Sequence, residues 1–205
     1  LHLSLRRQRQ MCIRDSPEAN HTDGVEVTTG PLGQGFANAV GLAMAQANAA
    51  AAFNRDGFEL FNNRTYVFLG DGCMQEGVAS EAASMAGHLG LKNLIAFYDD
   101  NHITIDGDTN CAFTEDVGKR FESYNWNVLT VKNGDEDLSA LWDAIVKAQQ
   151  EKERPTLVCV QTTIGFGSLN QGKASVHGAP LKEDDIAQLK TCLLYTSDAA
   201  DEGLG

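Results

Sequence analysis

Asp71, set between Gly70 and Gly72, and Asn101, thirty residues further on, are the residues whose types and spacing suit holding a cation beside an anion. Asp71 stands where a short apolar run, residues 66–69, ends. Gly72 has no Cβ, so a phosphate can approach the main chain there. The helix expected next would aim its free N–H groups and positive dipole end at that phosphate. Asn101 follows a second apolar run, residues 94–98. In a strand–helix–strand unit the helix returns the chain, so two such strand ends stand side by side. One carboxylate, one amide oxygen and a nearby main-chain carbonyl then make three hard oxygen ligands. Mg2+ would take these and complete its octahedron with diphosphate oxygens and water. Taken singly, each signal has a plainer reading, a surface turn for Gly-Asp-Gly and an Asx turn for Asn101. A calcium EF-hand does not fit Asp99-Asp100-Asn101, because the alternating ligand positions fall on Ile103 and other unsuitable residues.

The elements that must position these residues read as alternating strands and helices. A bent loop, Thr28-Thr29-Gly30-Pro31-Leu32-Gly33-Gln34-Gly35, leads into a long helix over 34–53 with an apolar stripe of Phe36, Val40, Ala43, Ala47 and Ala50. Strands are expected at 65–69, 94–98, 127–131 and 156–163. Between and after them, helices are expected at 75–88, 116–124, 137–152 and 183–190, the third with a stripe of Leu138, Leu141, Ile145 and Ala148. Polar or Gly-rich loops fill 54–64, 101–112 and 164–182. The pattern predicts an α/β fold, a mostly parallel sheet with helices on both faces. Ligands of such sheets sit beyond the carboxyl ends of the strands, so the loops at Gly70, Asp99 and Gly165 are expected to line one crevice.

Composition narrows the function. At 205 residues the chain suits one domain. A net charge of −12 argues against nucleic acid or an anionic membrane as main partner, though not against a phosphate neutralised by a cation. The five cysteines (12, 73, 111, 159 and 192) share no metal or redox spacing, which predicts a reducing, cytoplasmic setting. No run approaches a membrane span, and no signal-peptide pattern is present. Residues 1–16 hold four arginines against one acid, out of character with the acidic 17–191. Both they and 192–205 are expected to be non-native, adapter-derived sequence. The alternative is a basic arm and a flexible acidic tail.

Gly70-Asp71-Gly72 followed by Asn101 resembles the thiamine-diphosphate motif. Together with Thr28–Gly35, the run Gly70-Asp71-Gly72-Cys73-Met74-Gln75-Glu76-Gly77, the run Asp99-Asp100-Asn101-His102-Ile103-Thr104-Ile105-Asp106, and Ser175-Val176-His177-Gly178-Ala179-Pro180, it closely resembles the transketolase family from residue 17 to about 190. The resemblance implies the diphosphate-binding domain, with thiamine diphosphate and Mg2+ or another divalent cation as cofactors. It implies that Asp71, Asn101 and the carbonyl of Ile103 bind the metal, and that Gly72 and Asn101 contact the diphosphate. Gly30, Pro31 and Leu32 would lie against the cofactor and Ile164 on its thiazolium side. His177 would touch the diphosphate and serve proton transfer at the substrate oxygen. Glu76 and Glu81 would lie at a homodimer interface.

Each of these positions also has a plainer reading: a solvated loop histidine for His177, first-turn acids of a helix for the glutamates, chain reversal for Gly165 and Gly167. The implied activity is transfer of a two-carbon ketol unit between sugar phosphates. The family's second, pyrimidine-binding domain with its activating glutamate is not in this chain. Asp15-Ser16 stand where the family carries Gly-His, and no Arg and Ser clamp for a sugar phosphate is recognisable. The expectation is therefore a transketolase fragment, inactive alone. The alternatives are the N-terminal subunit of a split enzyme and a non-catalytic diphosphate-binding module.

Overall fold

The computed structural model describes residues 18–192; the expectations for 1–16 and for the tail beyond Cys192 lie outside them. In chain order the elements are α1 (Gln34–Phe53), β1 (Thr65–Gly70), α2 (Asp71–Gln75), α3 (Gly77–His88) and β2 (Leu94–Asp100). A small hairpin follows, β3 (Ile103–Thr104) and β4 (Gly107–Asp108), then α4 (Val117–Ser123), β5 (Asn127–Val131), α5 (Leu138–Gln150), β6 (Thr156–Gln161) and α6 (Glu183–Cys192). The main sheet runs β1-β2-β6-β5, and all its pairings are parallel.

The two central strands are apolar on both faces, as burial on both faces demands. Leu94 to Tyr98 of β2 and Thr156 to Val160 of β6 are all buried. The edge strand β1 alternates instead, with Val67 and Leu69 inward and Tyr66 and Phe68 exposed. On one face α1, α3 and α4 pack Phe36, Val40, Ala43, Ala83, Ala86 and Phe121 against Val67, Leu69, Ala96 and Leu157. On the other, Ala144 and Ala148 of α5 cover Ile95, Phe97, Val131, Val158 and Val160. Helices thus cover both faces of a parallel sheet, and α1 and β5 begin and end where the sequence pattern places them.

Four local expectations are corrected. Gly70-Asp71-Gly72 is not a turn followed by a helix from residue 75: Asp71 itself opens α2, and the helical path breaks at Glu76, which is extended (φ −77°, ψ 134°). The loop before α1 presses into that break. A Cβ on Gly33 would lie 2.9 Å from Glu76 Cβ and 3.0 Å from Val78 Cγ1. Arg120 secures the break from α4, donating from Nη2 to Met74 O at 2.9 Å and from Nη1 to Ser80 Oγ at 2.8 Å. Second, the polar segment after β2 is a hairpin closed by a two-residue turn, with Gly107 at φ 129°. Third, Leu138 does not join the buried stripe of α5 but is 73% exposed, because Asp137 caps the helix through Ala140 N and turns its first residue outward.

The strand expected to run to residue 163 stops at Gln161: one last amide bonds β2 and the next leaves the sheet. Thr162 N donates to Asp100 O and Thr163 N to the Asp135 carboxylate. The Gly-rich loop that follows is held by α6. Asp185, buried, accepts from Ser168 Oγ at 2.6 Å and Leu169 N at 3.0 Å, and Gln188 Nε2 donates to Gly167 O at 2.5 Å. The Ser168 hydroxyl, then the Leu169 N–H, hold the Asp185 carboxyl below the ordinary carboxylate range.

Two predictions follow from this packing. Gly87 of α3 lies against the chain after α4, where a Cβ would meet Tyr124 O at 1.7 Å. Gly87→Ala should cost at least about 3 kcal/mol, roughly 6–12 °C in Tm for a chain of this size. Gly41→Ala, in the same helical context with open space around it, should instead stabilise by about 0.5–1 kcal/mol. Thermal melts of the two variants check the opposite signs. Because folding depresses the Asp185 pKa, its contribution is complete above the ordinary Asp range and is lost as pH falls through the folded value. Protease cleavage within 165–172 should be slow in the wild type at neutral pH, several-fold faster in Asp185→Ala, and equal in the two once the carboxyl is protonated.

Candidate functional site

Because the main sheet is parallel, β1, β2, β5 and β6 end on one edge, and the register decides which side chains meet there. Gly70 pairs with Asp99 and Asp100 with Gln161, so the start of α2 stands beside the end of β2. Asp71 is 3% exposed. Its Oδ1 accepts from the Tyr98 hydroxyl at 2.5 Å, while Oδ2 is buried with no hydrogen-bond partner. The same hydroxyl lies 3.2 Å from Asp100 Oδ1, and His102 Nδ1 stands 3.4 Å from that oxygen. One ligand atom from each of Asp71, Asp100 and His102 falls within 4.8 Å of the others.

Burial dominates the electrostatics. It raises the Asp71 pKa above the ordinary Asp value; the Tyr98 hydrogen bond opposes it, the Asp100 charge adds to it, and His102 opposes it. Burial, then the bond to Asp71, drives the Tyr98 phenol upward, so its hydroxyl stays a donor. A cation at Asp71 Oδ2 would supply both the missing partner and the compensating charge. The residues present therefore fit a divalent ion.

Asn101 is fixed from its own turn. Its Oδ1 accepts from Ile103 N at 3.0 Å, and its Nδ2 donates to Asp99 Oδ2 at 3.1 Å. This is the Asx turn weighed from sequence; one lone pair of the amide oxygen is engaged and a second remains. Asp99 reaches the other way as well, accepting from the Thr162 hydroxyl through Oδ1. It thereby ties the Asn101 turn to the loop after β6. His102 holds the bend with φ 60°, and its carbonyl accepts from Thr109 N at 3.0 Å.

The remaining site residues fall into two groups. Leu32, 52% exposed, packs on Gly72, where a Cβ would sit 3.1 Å from Leu32 Cδ1; Gly30 and Pro31 beside it are exposed. A side chain at Gly72 would thus displace Leu32 as well as fill the approach to the main chain. The second group is the half-buried Ile164, whose carbonyl accepts from Gly172 N at 2.8 Å, and His177. Gly165 (φ 63°) lets the turn Ala174–Val176 approach, its would-be Cβ lying 2.9 Å from Val176 Cγ2. His177 follows that turn and is exposed. Glu76 and Glu81 are exposed on the outer side of the α2–α3 segment, Glu81 along a shallow groove with Ser80, Ser84, Met85, His88 and Tyr124.

Tyr98, Asp100 and His102 were missed from sequence. Tyr98 closes an apolar strand and reads as core. A signal was there: it ends the run just before the Asp pair, two residues from Asp100 on the same side of the strand. His102 carried none, since its importance comes from a left-handed bend.

The arrangement can hold a hard cation at the strand ends and leave the Gly72 main chain open to an anion. The family described as transketolase, thiamine diphosphate binding domain, matches residues 3–200. Transketolase 1 of Saccharomyces cerevisiae is 63% identical over 175 residues, 85% of this chain and 26% of that protein. The transketolase of Kluyveromyces lactis is 66% identical over 167 residues, 82% of this chain and 24% of that protein. Among solved structures, transketolase from Leishmania mexicana superposes with a TM-score of 0.85 at 49% identity, covering 91% of this chain and 29% of that one. A Pichia stipitis transketolase in complex with sedoheptulose-7-phosphate gives 0.84 at 57% identity, covering 88% and 27%. The chain spans about a quarter of the length of the curated relatives it matches. With its strand-end carboxylate, its Asx turn and its parallel sheet, the chain belongs to the transketolase family, in the thiamine diphosphate binding domain.

Proposed function

We propose that this domain is the diphosphate-holding part of a transketolase active site, working with sugar phosphates and a second subunit in the cytoplasm. The buried Asp71 Oδ2, left without a partner at the strand ends, carries the reading. Asp71, the second lone pair of Asn101 and the Ile103 carbonyl would hold Mg2+, and Gly72 and Asn101 would take the diphosphate. Gly30, Pro31 and Leu32 would lie against the cofactor from one side and Ile164 from the other. His177, exposed beside that loop, would hold a proton at the substrate oxygen. Thiamine diphosphate, when bound, supplies the carbanion chemistry by which a two-carbon ketol unit passes from a ketose phosphate to an aldose phosphate.

The sugar-phosphate assignment rests on likeness to the sedoheptulose-7-phosphate complex of the Pichia stipitis relative. The second subunit rests on α3 and its two flanking residues, a segment on which Val78, Met85 and Leu89 are exposed along with Glu76 and Glu81. Such apolar side chains beside two carboxylates suit burial against another chain. The cytoplasmic setting rests on the cysteine pattern.

Calorimetric titration of thiamine diphosphate, with and without Mg2+ and with the complementary domain supplied, tests the proposal. Binding should require Mg2+ and weaken at least roughly tenfold, about 1.4 kcal/mol, in Asp71→Asn. Binding indifferent to both Mg2+ and Asp71 would sink it. The 205-residue chain alone should show no ketol transfer. Turnover by that chain would overturn the division of the active site.

A further inference from the structure

We propose that Asp135 is a positioning residue for Ile164: by taking the Thr163 N–H on its carboxylate, it fixes the direction in which the chain leaves β6. The inference rests on the proposed function, which sets Ile164 against thiamine diphosphate, and it adds a residue that function does not use.

The need for such a residue follows from strand geometry. Successive N–H groups of a strand point to opposite neighbours. At the end of β6 the Thr162 N–H turns to β2 and meets Asp100 O at 3.3 Å, so the Thr163 N–H turns to the β5 side. There β5 has already ended, its last pair being Val131 with Val160, and no strand carbonyl faces that N–H. The Asp135 carboxylate takes the carbonyl's place, with Oδ2 at 2.9 Å and Oδ1 at 3.2 Å from Thr163 N.

Two features bring the carboxylate there. Gly134 N donates to Gln161 O at 2.8 Å, and a Cβ on Gly134 would lie 2.4 Å from Val160 Cγ1, so a side chain would push this turn off β6. On the far side, Asp137 N donates to Asn133 O at 3.0 Å, and the Asp137 carboxylate caps α5 through Ala140 N at 2.9 Å. Asp135 therefore sits on a turn closed by the sheet at one end and by a helix start at the other.

What the bond holds is the residue before Ile164. Thr162 is held from β2, by Asp100 O and, through its hydroxyl, by Asp99. Thr163 is held from the β5 side, and Phe166 N returns to Thr163 O at 3.0 Å. The turn carrying Ile164 thus starts from two residues fixed on opposite sides. Losing the Asp135 bond frees one of them, and with it the rotation that sets the Ile164 side chain.

The experiment uses the 205-residue chain, alone and with the complementary domain supplied. Asp135→Ala removes the acceptor, whereas Asp135→Asn keeps an amide oxygen for the same N–H. In the chain alone, amide exchange at Thr163 should be slow in wild type and Asp135→Asn, and at least roughly tenfold faster in Asp135→Ala. With the complementary domain, calorimetry should show Mg2+ and thiamine diphosphate binding roughly tenfold more weakly to Asp135→Ala, and within about twofold of wild type to Asp135→Asn. Inorganic diphosphate with Mg2+, which reaches only the Asp71 end, should bind all three alike, whereas general damage to the fold would weaken it too. The proposal is overturned if Thr163 exchange or thiamine diphosphate affinity is unchanged in Asp135→Ala, if Asp135→Asn is as weak as Asp135→Ala, or if inorganic diphosphate weakens in step. A wild type that binds no thiamine diphosphate with Mg2+ overturns the functional reading itself, and the Asp135 role falls with it.

Discussion

The hydrogen bond from Tyr98 to Asp71 is the constraint on which the site depends. It fixes one oxygen of a buried carboxylate and leaves the other buried without a hydrogen-bond partner. A buried acceptor without a partner costs about 1–3 kcal/mol, and more when charged. A chain shaped by stability alone would not keep it. The cost is sustained because Tyr98 is the last buried residue of the central strand β2, and the β1–β2 register sets Asp71 beside that strand's end. An acceptor kept without a partner by a rigid surround is what a ligand position presents.

The surround is rigid because its helices are built from small residues. Ala39 and Ala43 of α1 and Ala79, Ala82, Ala83 and Ala86 of α3 are all buried in one cluster, so these helices can approach closely. Close approach then makes the glycines decisive. Gly33 lets the loop before α1 enter the break at Glu76, and Gly87 lets α3 meet the main chain at Tyr124. Trp126 Nε1, donating to Ala83 O at 2.8 Å, adds a polar anchor inside the same apolar layer. Leu32 reaches Gly72 only because that loop is seated. The Asp71 end of the site is thus a product of helix packing as much as of the strand ends.

Much of this was legible in the sequence, and what was not has a common physical cause. The strand–helix alternation and the apolar runs of β2 and β6 identify a parallel sheet, because only strands buried on both faces are apolar throughout. Gly70, Asp71, Gly72 and Asn101 announce themselves as polar or flexible residues at strand ends. The break at Glu76 had only Gly77, a poor helix former, as a local signal; Gly33 pressing in and Arg120 reaching across from α4 secure it. Leu138 fits a helical stripe by spacing yet sits in the first turn, where the Asp137 cap sets the direction. Tyr98, Asp99, Asp100 and His102 act through tertiary partners, namely Asp71, Thr162 and each other, and no periodicity reports those.

The two ends of the site differ in how firmly they are built, and that difference bears on how a ligand would be received. Asp71, Gly72 and Asn101 are set by strand register, a buried hydrogen bond and a turn closed on itself, so the anion-holding end is preformed and loses little freedom on binding. Ile164 and His177 are held at one remove, through Ser168 and Asp185, Gly167 and Gln188, and the contact of Gly165 with Val176. The Asp99 carboxylate, accepting from Asn101 on one side and Thr162 on the other, joins the two ends. A ligand seated first at the rigid end would therefore meet a second end already aligned by that bridge but still free to settle. That order suits the proposed reading, in which a diphosphate would be held at the rigid end and His177 would serve the reacting atoms at the other.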